Sequence, residues 1–300
     1  MNDLNKREQN NSNSSAEREN GRVKSNEFFE RALQRYQINT AKDKQNAIYE
    51  ITQQVVLAGL HRGGFFDKAA FYGGTCLRLF HQLPRFSEDM DFSLLTPDDG
   101  FVFENYFQPI IDEFDALGRK VEIKKKDKKV FGRVDSAFLK DNTDVYNVAF
   151  QTEKSVKVNI EVDTQPPSMF HTEQKALTLP YTFMIRCFQL PDLYAGKMHA
   201  LVFRNWKTRV KGRDWYDFEW YVRWHVPLDF KHLQERIREF NGKNMSVEEF
   251  KAALKERLAT TNIEDVKTDV RPFLKNDPHE LDAWSNDYFL QLADRMLFKE

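Results

Sequence analysis

The chain has 300 residues, enough for one or two domains, and 41% of them are hydrophobic, enough for a sizeable core. Its 45 Lys and Arg against 46 Asp and Glu leave a formal charge of −1, which excludes a global polyanion-binding surface and confines any nucleic-acid contact to a local patch. There is no run of eighteen apolar residues and no apolar N-terminal segment. Neither a transmembrane helix nor a secretory signal is therefore expected, and Cys76 and Cys187, far apart, fit a reduced, cytoplasmic protein without a disulfide framework.

Residues 1–24 are Asn, Ser, Glu, Arg and Lys with almost no apolar side chain. Such a segment cannot bury enough surface to offset its ordering entropy, so it reads as a disordered tail, with partner binding as the alternative. Ser25 is a candidate cap for a helix that turns Phe28, Phe29, Leu33 and Tyr36 inward. A second helix is expected over 42–60, with Ile48, Ile51, Val55, Val56 and Leu60 at helical spacing. Residues 69–72 read as a short strand that runs into Gly73, Gly74 and Thr75. A Gly-rich turn opening a helix suits phosphate, because backbone N–H groups and the helix dipole both favour an anion there. The helix over 75–82 carries Arg78, either a solvated surface arginine or a phosphate-binding or site-supporting one.

A strand over 89–94 places Asp89, Asp91 and Ser93 on one face and Met90, Phe92 and Leu94 on the other. Two carboxylates one pleat apart suit a hard cation such as Mg²⁺, with Mn²⁺ the alternative. An amphipathic helix follows over 101–117. The run 124–129, Lys-Lys-Lys-Asp-Lys-Lys, is the most basic stretch and reads as a solvated β-hairpin or as a footprint for an RNA backbone. Another strand is expected over 145–150. Residues 156–163 alternate cleanly, with Lys157, Asn159, Glu161 and Asp163 on the polar face. Laid antiparallel beside the Asp89–Asp91 strand, this face would bring Glu161 or Asp163 to the site as a third carboxylate.

Residues 183–190 are a short strand or extended segment, after which Asp192 is a plausible N-cap for a helix. Tyr194, Lys197, Leu201 and Arg204 form one stripe along it, a lysine and an arginine suited to triphosphate. The next helix opens at 212–214, with Asp214, Asp217 and Tyr221 on one face; Arg213 and Asp217 fit an ion pair four residues apart. His199 reads as a core-edge or surface histidine, not a catalytic one. Beyond Pro227 the chain is helical and polar, with a capping box at Ser246 to Glu249 and a last helix introduced by Asp277 and Pro278.

Gly73-Gly74-Thr75-x-Leu77-Arg78, followed by Pro84-Arg85-Phe86-Ser87-Glu88-Asp89-Met90-Asp91-Phe92, resembles the nucleotidyltransferase superfamily of DNA polymerase β type. More closely, it is similar to the AbiEii/AbiGii toxin family, which includes the MenT toxins. The stretch Leu193 to Leu201, then Arg204 and Gly212-Arg213-Asp214-Trp215-Tyr216-Asp217, resembles that family's second block, a helical lysine followed by Arg-Asp-x-x-Asp. Gly196 stands where the family usually has a glutamate. The resemblance runs from about residue 65 to 224.

The resemblance implies an α+β fold: a polymerase-β-like core over 25–190, a small mixed or antiparallel sheet flanked by helices, and a helical C-terminal region over 191–300 that contributes to the site. It implies NTP-dependent nucleotide transfer, with metal held by Asp89, Asp91 and Glu161 or Asp163. Gly73, Gly74, Thr75, Ser87, Arg78, Lys197 and Arg213 would serve the phosphates. Lys197 would neutralise the triphosphate, and Asp214 would orient Lys197 or contact metal or nucleotide, with Asp217 the other aspartate of that motif. The family implies a toxin of a bacterial toxin–antitoxin or abortive-infection system, a separate winged-helix antitoxin as partner, and an RNA acceptor such as the tRNA 3′ end. Transfer to a protein hydroxyl or small molecule on the same scaffold, and a non-catalytic RNA- or antitoxin-binding module, are the alternatives.

Overall fold

The computed structural model describes residues 27–125, 143–150, 156–204, 210–275 and 279–299. The N-terminal tail, the Ser25 cap, most of the basic run, and the Asp277–Pro278 junction lie outside the described residues. Helix α1 spans 27–33, and α2 spans Ala41–Arg62 behind a capping box made by Thr40 and Asp43. Strand β1 (Ala69–Tyr72) leads into α3 (Gly73–His81), and β2 (Met90–Leu94) follows. The expected helix over 101–117 is split into a 3₁₀ turn at Phe103–Tyr106 and α4 at Phe107–Ala116. Pro109 explains the break: it lacks an N–H and fits within the first turn of an α-helix but not inside it.

Strands β3 (Val121–Lys125), β4 (Thr143–Phe150), β5 (Lys157–Asp163), β6 (Thr172–Leu177) and β7 (Phe183–Phe188) complete one seven-stranded mixed sheet in the order β3-β4-β5-β2-β1-β7-β6. The alternating strand over 157–163 does lie beside β2, but the pair is parallel, not antiparallel. β4 reverses on β3 and β5 reverses on β4, so β5 runs with β3, and both run in the direction of β2. Edge strand β6 has no counterpart in the sequence reading. Of its six residues, Leu177 alone is buried, so no alternation marks it.

One sheet face is apolar: Phe71, Met90, Phe92, Val158, Ile160, Ile185 and Cys187 are fully buried there. Helix α2 packs on β5, β7 and α4, closing that layer. Much of the chain's phenylalanine gathers beside it; the Phe65 ring meets those of Phe92, Phe103 and Tyr106 edge-on at 5.0–5.6 Å. The other face carries Tyr72, Asp91 and Glu161.

Helices α5 (Leu190–Phe203), α6 (Gly212–Arg223), α7 (Phe230–Asn241), α8 (Val247–Thr260), α9 (Ile263–Val270), α10 (His279–Asp282) and α11 (Asn286–Asp294) make the C-terminal region. A two-stranded parallel pair, β8 (Pro227–Leu228) with β9 (Leu297–Phe298), ties its end back. Asp192 is not the N-cap of α5. Gln189 holds that place, and Asp192 lies in the first turn, where the helix dipole favours a carboxylate.

His199 proves to be a core residue, 1% exposed, with Nε2 2.9 Å from Asn241 Oδ1. Burial, and then the charge of Arg236, hold its imidazole down at about 3. The folded value lies below the unfolded one of about 6.5, so stability from the neutral ring is full above that pH and drains as pH falls toward 3. Between pH 7 and 5 this costs roughly 2 kcal/mol. Urea denaturation of wild type is therefore expected to lose about that much more over this interval than His199→Gln does.

Candidate active site

The first block is built at the junction of β1, α3 and β2. Gly73 is the first residue of α3 with φ +79°, a left-handed conformation that glycine adopts freely. A Cβ added there would lie 2.0 Å from Asp91 Oδ2. A methyl group at 73 would therefore collide with the central acid. Gly73→Ala is expected to cost about 1–2 kcal/mol of stability from backbone strain and to displace Asp91, abolishing activity. Gly196→Ala is the control: an added Cβ meets nothing within 4 Å, and the helix gains about 0.5–1 kcal/mol. Thermal melts and activity of the two variants check this pair of outcomes.

Asp89 and Asp91 stand in one row with β5. Backbone register sets Asp91 opposite Glu161 and Ser93 opposite Asp163, all on the polar face. Asn159, one pleat further along, donates from Nδ2 to Asp89 Oδ1 at 2.8 Å. Burial, and then the charge of Asp89, push the Asp91 carboxyl up to about 6. Lys197, Lys211 and Arg204 pull the other way, so these cations stand near enough to act on Asp91.

The loop between α3 and β2 is held from below. Thr75 Oγ1 is hydrogen-bonded to Ser87 Oγ at 3.0 Å and donates to the carbonyl of Asp89. Gln53 Nε2, on α2, donates to the carbonyls of Ser87 and Glu88 at 3.1 and 2.8 Å. Thr75 and Ser87 are thus buried loop clamps that fix the approach to Asp89. Arg78 lies outside this gathering. It donates to Glu50 at 2.8 Å and to the carbonyls of Leu83 and Pro84 at 2.9 and 3.0 Å, bracing the turn after α3.

The second block is joined to the first by an ion-pair network that reading the sequence did not reveal. Arg85, 2% exposed, makes a two-pronged contact with Asp217, Nε to Oδ1 at 2.6 Å and Nη2 to Oδ2 at 2.7 Å. Lys197 Nζ lies 2.7 Å from Asp217 Oδ2 and 3.6 Å from Asp214 Oδ1, and Arg204 Nη1 is 3.5 Å from Asp214 Oδ2. Burial pushes the Asp217 carboxyl up, but Arg85 and Lys197 outweigh it and hold it at about 2. Asp214 is also held below the usual range: burial opposes, and Arg204, Lys197 and Lys211 prevail. The stripe of Lys197 with Arg204 and the shared face of Asp214 with Asp217 therefore meet as the helical spacing implies.

Arg213 does not pair with Asp217. Its guanidinium stacks on the Phe273 ring at 4.1 Å and approaches Glu88 at 3.9 Å. Lys211, singled out by no spacing, is a half-buried cation of this cluster. Burial, then the charge of Arg204, lower it to about 8. Arg85 was legible only as a charged residue between Pro84 and Phe86; its partner is 132 residues away.

An all-oxygen donor row of Asp89, Asp91 and Glu161 fits a hard divalent cation. The raised Asp91 carboxyl marks a pair of like charges that such an ion would neutralise. Among the described residues, the group of three whose ligating atoms come within 4.8 Å of one another is a different one: His171, Asp192 and Asp229.

Residues 55–292 match the family model described as the nucleotidyl transferase AbiEii toxin of a type IV toxin–antitoxin system. Among solved structures, the chain is similar to JHP933 from Helicobacter pylori, at 16% identity over 83% of this chain and 88% of that one, with a TM-score of 0.45. A second H. pylori protein, described provisionally as a nucleotidyltransferase, is 16% identical over 82% of this chain and 89% of its own, with a TM-score of 0.43. No curated protein matches the chain.

Proposed function

Because the chain belongs to the AbiEii nucleotidyltransferase toxin family of type IV toxin–antitoxin systems, we propose that it transfers a nucleotide from an NTP to an RNA acceptor, the tRNA 3′ end being the favoured one. One observation carries the reading: the charges of Lys197, Lys211 and Arg204, in and beside the second block, act on Asp91 of the first. An acidic row set against a cationic cluster is what a triphosphate and its divalent ion together require.

Asp89, Asp91 and Glu161 would hold Mg²⁺, Glu161 being preferred over Asp163 because it lies opposite Asp91. Bound there, the ion supplies neutralisation of phosphate charge and activation of the attacking hydroxyl. Lys197, Arg204 and Lys211 bind the triphosphate oxygens as charged donors. The backbone N–H groups of Gly73 and Gly74, at the start of α3, hold a phosphate close because neither residue has a side chain in the way. Asp214 and Asp217 orient Lys197, and Arg85 anchors Asp217. Asp163 keeps the acceptor side of the row negative and draws the proton from an approaching hydroxyl. Ser87, Thr75 and Arg78 position the loop that bears Asp89. Residues 25–190 and 191–300 then act as two parts of one site, and an antitoxin protein is the cognate partner.

The test is incubation of the full chain with each α-labelled NTP, Mg²⁺, total RNA and total protein. Label is expected on RNA, concentrated in the tRNA band. Label on protein alone would overturn the RNA reading in favour of a protein hydroxyl as acceptor. No transfer by folded protein with any NTP would overturn nucleotide transfer itself.

A further inference from the structure

His171, Asp192 and Asp229 come from three elements: the residue before β6, the first turn of α5, and the N-cap of α7. His171 Nδ1 lies 3.4 Å from Asp192 Oδ1 and 3.7 Å from Asp229 Oδ2. Both separations exceed the roughly 2.7–3.2 Å of an N–H···O hydrogen bond. Ligands about 2.0–2.2 Å from one ion at the corners of a coordination tetrahedron stand about 3.3–3.6 Å apart; the 3.4 Å separation falls in that range and the 3.7 Å one just beyond it.

An independent observation points the same way. Asp192 is 0% exposed, and its Oδ2 has no hydrogen-bond partner, while Oδ1 accepts the backbone N–H of His171 at 3.1 Å. A buried carboxylate oxygen without a donor is costly unless a cation completes it. Asp229 Oδ2 also has Lys299 Nζ at 3.1 Å.

We propose that His171, Asp192 and Asp229 bind a divalent transition-metal ion of the Zn²⁺ type, at a site separate from the Asp89–Asp91 row. The imidazole nitrogen selects Zn²⁺-like ions over Mg²⁺ and Ca²⁺, which take oxygen ligands. The His171 side chain is 54% exposed, so the ion enters from solvent without opening the fold. Lys299, near the end of the chain and 36% exposed, is a competing ammonium that a dication displaces. Bound, the ion cross-links the edge of the sheet to the starts of α5 and α7.

The test is titration of the full chain with Zn²⁺ and with Co²⁺ in saturating Mg²⁺, which occupies oxygen-only sites. One equivalent is expected to bind, Co²⁺ giving the intense visible bands of tetrahedral coordination, and Zn²⁺ raising the Tm. His171→Ala, at an exposed ring that folding does not need, is expected to weaken binding at least about tenfold and to abolish the Co²⁺ bands. Lys299→Met is expected to tighten binding. No saturable binding by wild type, unchanged binding in His171→Ala, or weaker binding in Lys299→Met would each overturn the site.

Discussion

Asp217→Ala is expected to lower unfolding free energy by about 3–5 kcal/mol, the cost of breaking a buried ion pair from one side. The guanidinium of Arg85 loses both its charged contacts, and Lys197 loses the closer of its two carboxylates. Removing one buried partner leaves the other charge desolvated and uncompensated, which is worse than removing both. The double variant Arg85→Met/Asp217→Met is therefore expected to be more stable than Asp217→Ala, with Lys197 still facing Asp214 at 3.6 Å. Urea denaturation of the three proteins, compared at constant m-value, measures the difference. Equal stability of wild type and Asp217→Ala would mean that water reaches the pair. The damage extends to activity, because Arg85 also sits against Gly74, where an added Cβ would meet its Nη2 at 2.9 Å.

The second large effect is chemical. Asp91→Ala is expected to reduce nucleotide transfer by about 10³-fold or more, equivalent to several kcal/mol of transition-state stabilisation. Asp91 is the residue at which the rows converge: Gly73 abuts it, Glu161 lies opposite it, and the cations of α5 and its neighbourhood act on it. Stability moves the other way. Ionising Asp91 in the folded chain is unfavourable, so alanine removes a strained charge, and the variant is expected to melt no lower than wild type at pH 7. Single-turnover transfer and a thermal melt on the same preparation separate the two effects. Wild-type transfer rates in Asp91→Ala would remove Asp91 from the chemistry, and with it the acidic row.

Much of this site was legible before any coordinates because its local parts are periodic. The strand 90–94 and the strand 157–163 announce themselves by alternation, and alternation alone assigns Asp91 and Glu161 to polar faces. The helical stripe of Lys197 and Arg204 follows from a repeat of 3.6. Strand direction is another matter. Nothing in the residues 157–163 encodes whether their neighbour runs with or against them; that depends on how many hairpins intervene, and β3 and β4 decided it. β6 escaped because an edge strand with little buried surface carries no pattern. Arg85 escaped because a pairing that spans 132 residues has no period at all. Arg78, attractive by its place in the motif, serves instead as a brace for the loop.

The 132-residue span between Arg85 and Asp217 also sets a clock. At about 5–20 residues per second of synthesis, roughly 7–26 s separate the appearance of the two partners at the ribosome. Until the end of that interval Arg85 lacks its carboxylate, and the loop bearing Asp89 lacks that anchor. The two blocks can therefore be joined only once residue 217 of the 300 has been made.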